Sequence, residues 1–395
     1  MQETLRRYAR LIIEIQLKLQ RGDALSINTE SSTMAFARML ATQACESTMQ
    51  TVNIVETNHG KIAQVVEFDP VEHRIKRPPV TGYVMCHLVD LDNCPYVTDE
   101  GVSSLAQEVT KLGTYGLLSD PVFLDRRIAV PWANIPLPGP LWAMQLLGKA
   151  ASEEDMWQLF SKIYRLEDDH GLKFWHDQAN LLEYRKQQLN KKGKIKLTIE
   201  GDGCSLQATT ADRTTWAGGS SSVSSGRTFL PSLPMQHVHT SLDTSTTEGE
   251  LSAMRPFLLL GKVVEDASFT LSKGKVVSYS AHKGEEALDA FFAIDEGAGL
   301  VSGISLADND TIESRYVKSA IHPHFNAEIT TALILGGFSL STLTDQSSDE
   351  EIDASHLARS LVRLAIPIGS DSLSILATDE AGKQTTLMDD GVCEL

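Results

Sequence analysis

Apolar residues recur at helical spacing near the start of the chain, with Leu5, Tyr8, Ile12, Ile15 and Leu19 on one stripe of residues 2–21 before Gly22 and Asp23 end it. The run ALSIN (24–28) reads as a short buried strand. Ser31 or Ser32 can cap a second helix over about 33–48, whose apolar face includes Met34, Phe36, Met39 and Leu40. TVNIVE (51–56) follows as another strand. Strand, helix and strand in this order predict a right-handed βαβ unit and a parallel sheet. YVMCHLVDL (83–91) and RIAVPW (127–132) read as further strands, and 100–112 as a helix after Thr98 and Asp99.

The period then lengthens to that of helices. Met156, Leu159, Phe160 and Ile163 mark a first helix within 153–192. Leu172, Trp175, Ala179, Leu182 and Leu189 mark a second, capped near Asp168 or Asp169 and ended by Gly193. Beyond it the pattern is strand-like: KIKLTIEG, CSLQATT, then the loop WAGGSSSVSSGRTF. This change of period predicts a boundary near 190, with an N-terminal domain over 1–190 and a C-terminal domain over 191–395. In the second half, 257–264, 267–281 and 372–388 read as strands and hairpins, with Lys273–Gly274 and Ala381–Gly382 at two turns. Residues 284–294 read as its one clear helix. The expected class is two-domain α/β: a parallel-sheet α/β domain, then a β-rich α+β domain.

Composition narrows the function. At 395 residues the chain exceeds what one core usually serves, which agrees with two domains. With 52 acidic against 35 basic residues the net charge is −17, so no nucleic-acid partner is expected. The basic run from Arg185 to Lys196 lacks interleaved aromatic residues and reads as a solvated helix end. Five cysteines at wide spacing, with no C-x-x-C, fit buried thiols in a reducing compartment. The apolar N-terminal stretch is interrupted by Glu14 and Lys18, and no run approaches a membrane span. A cytoplasmic location with no membrane partner is expected.

No Gly-x-Gly-x-x-Gly follows the first strand, there is no Walker loop, and the serines at 220–225 lack a Gly-x-Ser-x-Gly elbow. Two His-x-His pairs stand out instead: His237 with His239, and His322 with His324. Residues at i and i+2 on a strand face the same way, so such imidazoles can converge on one zinc, iron, nickel or copper ion, with Glu328 a carboxylate nearby. The plainer alternative is a set of ordinary histidines, and Pro323 makes the second pair irregular.

From Trp216 onward the residues carry a resemblance. The order W-A-G-G-S, G-R-T-F-x-P-S-x-P, V-H-T-S-x-D, T-E-G-E-L-x-A-x-R-P, G-K-V-V and D-E-G-A is similar to that of the aminopeptidase T (thermophilic aminopeptidase, AmpS/PepS-type) metallopeptidase family. Upstream, G-K-I-K-L-T-I-E-G-D-G-C-S-L adds a further match. The resemblance implies a homodimeric, two-domain enzyme that removes N-terminal residues. It also implies two divalent ions held in the C-terminal domain by two glutamates, two histidines and an aspartate, with a tyrosine nearby.

Carried onto this chain, the first glutamate position is His237 and the second Gly303. The first histidine position is Ala332, the tyrosine falls near Phe338 and Ser339, and the final histidine and aspartate fall on Arg363 and Ala365. Gly and Ala have no donor atoms and Arg363 repels a cation, so the family's two-metal site is not expected. The resemblance therefore implies a divergent relative with a degenerate peptidase site. It would be a repurposed enzyme or a ligand-binding pseudoenzyme taking a small molecule or peptide in its C-terminal domain. One alternative is a mononuclear zinc or iron enzyme ligated by His237, His239, His322 and His324 and acting on a small molecule, by analogy with the dihydroxypyridine dioxygenases that the resemblance places on this scaffold. The other is a working metal-dependent aminopeptidase. No catalytic residue is assigned.

Overall fold

The computed structural model describes residues 1–58, 61–69, 77–93, 129–260, 262–316, 325, 328, 330–343 and 354–395. The chain forms two compact units. One draws on Met1–Cys94, Asp120–Asn180 and Ser220–Met235, the other on Leu181–Gly219 and Gln236–Leu395. The expected helix at 100–112 and the residues His322 and His324 lie outside the described residues.

In the first unit, helix α1 (Gln2–Arg10) runs into a wider π turn over Leu11–Gln16. The helix expected to residue 21 stops at Leu17, because Lys18 turns back with a φ of 47°. Strand β1 (Asp23–Thr29) buries every second residue, and helix α2 (Met34–Thr48) carries the chain over to β2 (Val52–Asn58). β1 pairs in parallel with β2 and with β4 (Gly82–Asp90), and β4 with β5 (Trp132–Leu137). This is the predicted βαβ sheet. β3 (Lys61–Phe68) is added antiparallel at one edge, giving the order β3-β2-β1-β4-β5. Of the strand expected at 127–132, residues 127–128 lie outside the described residues, 129–131 are not extended, and the strand begins at Trp132.

Helices α3 (Pro140–Leu147) and α4 (Glu153–Tyr164) complete this unit, α4 closed at its start by a Ser152–Asp155 capping box. Tyr8 lies at its centre. Its ring meets Phe36, Phe160 and Tyr164 at centroid distances of 5.4, 5.2 and 5.5 Å, and its hydroxyl donates to the Pro136 carbonyl at 2.7 Å. The serine loop is a short hairpin, Ser221–Ser222 against Thr228–Phe229. Arg227 at its end forms a bidentate pair with buried Asp23, at 2.9 and 2.7 Å.

Helix α5 (His170–Asn190) contains the point at which the two units divide. In the second unit, Arg185 heads the basic run but is buried against Asp308 at 3.0 Å, so that residue is not a solvated cation. An eight-stranded antiparallel sheet includes the predicted hairpins Ser268–Ser272 with Lys275–Ser280 and Ser374–Asp379 with Gln384–Asp389. Helix α6 (Glu285–Phe292) follows Gly284 as expected. A second, five-stranded antiparallel sheet holds β6 (Ala217–Gly218), β7 (His237–Ser241), β8 (Val301–Ala307), β9 (Ala332–Gly336) and β10 (Arg363–Pro367). Its order is β10-β9-β8-β7-β6.

Candidate functional site

The register of the five-stranded sheet decides which residues share a face. His237, His239 and Ser241 of β7 stand opposite Ala307, Ser305 and Gly303 of β8. Gly303 and Ser305 face Ile334 and Ala332 of β9. Ala332, Ile334 and Gly336 in turn pair with Pro367, Ala365 and Arg363 of β10. Alternation along each strand puts all of these on one side. The five positions His237, Gly303, Ala332, Arg363 and Ala365 thus converge on one face of four adjacent strands.

His237 and His239 share one face, as their i and i+2 spacing on a strand predicts. The His237 and His239 rings lie 5.1 Å apart, tilted by 41°. Nδ1 of His237 is 2.9 Å from Oε1 of Glu328, close enough for an ion pair but out of line for a hydrogen bond. The other oxygen, Oε2, accepts the Gln236 backbone N–H at 2.6 Å. Nε2 of His239 lies 2.9 Å from Oγ of Ser341, which lies 2.8 Å from Oγ of Ser339. The tyrosine position of the resemblance is therefore linked to His239 through a hydroxyl. Nδ1 of His239 is buried with no hydrogen-bond partner.

Burial first, then neighbouring His237, then Arg363, hold His239 well below the usual imidazole range, so its ring is neutral at pH 7. Burial pushes the Arg363 guanidinium down to about 10, which leaves it charged. Gly303 is a point of close approach: a Cβ built there would stand 2.6 Å from the Thr240 carbonyl oxygen.

A two-metal centre does not fit this donor set. Gly303, Ala332 and Ala365 offer no side-chain donor, and a side chain at Gly303 meets backbone. A divalent ion about 6 Å from a guanidinium would be repelled by about 5.5 kcal/mol at an effective dielectric of about 20. Among the described residues, no three His, Cys, Asp or Glu side chains are grouped to hold one ion. A recess of about 490 Å³ in the first unit, lined by Thr4, Glu154, Trp157 and Lys162 among others, carries none of this chemistry.

Local sequence pattern pointed to His237, His239 and Glu328, and the family resemblance to Arg363. It missed Ser341, whose contact with His239 spans 102 positions of chain and leaves no local signal.

The family model for thermophilic metalloproteases (M29) matches residues 1–392. The chain is 23% identical to aminopeptidase 2 of Geobacillus stearothermophilus, across 99% of this chain and 97% of that protein. It is 24% identical to aminopeptidase T of Thermus aquaticus, across 98% and 97%. It is 22% identical to aminopeptidase AmpS of Bacillus subtilis (strain 168), across 98% of each chain. In fold it is similar to wild-type AmpT from Thermus thermophilus, with a TM-score of 0.75 at 20% identity and full coverage of both chains. With its whole length matched, its two units and its mixed parallel and antiparallel sheets, the chain belongs to the thermophilic metalloprotease (M29) family.

Proposed function

We propose that this chain is a divergent M29 protein whose two-metal peptidase centre is degenerate, and that its site face binds a ligand in place of the family's peptide hydrolysis. One observation carries the reading. On the face where the resemblance puts five metal ligands, the chain has His237, Gly303, Ala332, Arg363 and Ala365. Hydrolysis by two ions needs each to be held by oxygen or nitrogen donors while it polarises a carbonyl or activates water. Here three of five positions have no donor and a fourth is a cation. The close approach at Gly303 supports the same reading, because even a small side chain there would displace β7 from β8.

The test is turnover and metal content together. Protein purified without chelator or histidine tag should carry no stoichiometric metal and release no amino acid from aminoacyl-nitroanilides with added cobalt or zinc. Turnover that a chelator removes would overturn the proposal.

A second reading is favoured by the His237 and His239 rings 5.1 Å apart and by Glu328 beside His237 at 2.9 Å: a mononuclear zinc or iron site completed by His322 and His324. It requires one ion per chain, lost in His237→Ala. A homodimeric assembly in the cytoplasm remains part of the proposal; a monomeric mass by sedimentation equilibrium would remove the dimer from it.

A further inference from the structure

The site face holds a charge that nothing described there neutralises. Arg363 is half-buried at the start of β10, and among the described residues its guanidinium makes no hydrogen bond, ion pair or ring contact. Among the described residues, the carboxylates of this region are engaged elsewhere: Glu328 by the Gln236 N–H and against His237, and Asp295 by the Ser360 hydroxyl and the Leu361 N–H. A half-buried guanidinium has lost part of its hydration, and a bound anion offsets that cost. Arg363 also lies near enough to His239 for its charge to bear on the imidazole. His239 is in turn connected to the exposed Ser341 hydroxyl.

The surroundings narrow the class of anion. One fixed guanidinium balances one negative charge, and its planar fork matches the two oxygens of a carboxylate. Phosphate at neutral pH carries more charge than the single cation can meet. Beside Arg363 on the same face lie Ala365, Ile334 and Ala332, which suit an apolar substituent. We infer that Arg363, with His239 and Ser341, forms a binding site for a small monocarboxylate whose apolar substituent lies over Ala332, Ile334 and Ala365. This inference rests on the proposed ligand-binding function and names the ligand class.

The experiment uses the full chain in chloride buffer, titrated by calorimetry with butyrate, inorganic phosphate and butylammonium in separate arms. Butyrate should bind saturably, and the other two should not. Arg363→Gln should fold with a Tm equal to or above that of the wild type, since it removes an unpaired charge, and should weaken butyrate binding at least tenfold. Arg363→Lys, which keeps the charge and loses the fork, should fall between. Should Arg363→Gln fail to fold, Ser341→Ala at the exposed end of the site should still weaken butyrate several-fold. The inference is overturned if butyrate does not saturate, if phosphate binds more tightly, or if these variants keep wild-type affinity. Metal-free protein that ignores butyrate sinks this inference alone, whereas stoichiometric metal sinks the function on which it rests.

Discussion

Arg227→Ala tests what ties the serine loop into the first unit. The Asp23 side chain is 2% exposed and that of Arg227 17%. Arg227 donates to both Asp23 oxygens, at 2.9 and 2.7 Å, and to the Leu17 and Lys18 carbonyls, at 3.2 and 2.8 Å. Truncation leaves a buried carboxylate with its main partner gone, and such a loss costs about 3–5 kcal/mol. Asp23 keeps its bond from the Gln20 N–H, which places the expectation toward the lower half of that range. For a unit of about 150–250 residues each kcal/mol moves Tm by about 2–4 °C, so the first transition should fall by about 6–15 °C. Calorimetry and urea unfolding measure it. The double variant Asp23→Asn with Arg227→Met should recover much of the loss, because no charge is then left alone in the interior. A loss below about 1 kcal/mol for Arg227→Ala would refute the view that this pair is an interior one.

Two further outcomes concern the sheet face and the histidines. Gly303→Glu, which restores a ligand type by name, should cost roughly 2 kcal/mol or more, because its Cβ meets the Thr240 carbonyl at 2.6 Å; it should not confer metal binding, as calorimetric titration with zinc would show. His239 and His87 are both held below the usual imidazole range by burial, while the unfolded chain takes up protons near pH 6.5. Between the two values the unfolded state binds more protons. Stability is therefore full above about pH 6.5 and falls as the pH drops below it. Urea midpoints across pH 5–8 check the sign, and His239→Gln should flatten the slope; an unchanged slope would contradict the assignment to His239.

Local periodicity was sufficient for β1, α2, β2 and the helices α4 and α5, since each buries one stripe at its own period. It failed where hydrophobicity along the element does not mark one side. Residues 62–67 of β3 are exposed on both faces, so the strand has no alternation to read. α3, PLWAMQLL, is so uniformly apolar that no helical stripe separates from the rest. At the site, the shared direction of His237 and His239 was legible because strand side chains repeat every second residue. The meeting of Gly303, Ala332 and Arg363 with that pair depends on the pairing of β7, β8, β9 and β10, which local pattern does not encode. The family resemblance supplied those positions, and the sheet register gives the physical reason that they belong together.

The most direct test of the degenerate centre is elemental analysis of the full chain, purified without chelator or tag and then dialysed against zinc or cobalt. The account predicts well under one tightly held ion per chain, in protein that unfolds cooperatively. Two ions per chain, retained through dialysis and accompanied by release of N-terminal residues from peptides, would contradict it.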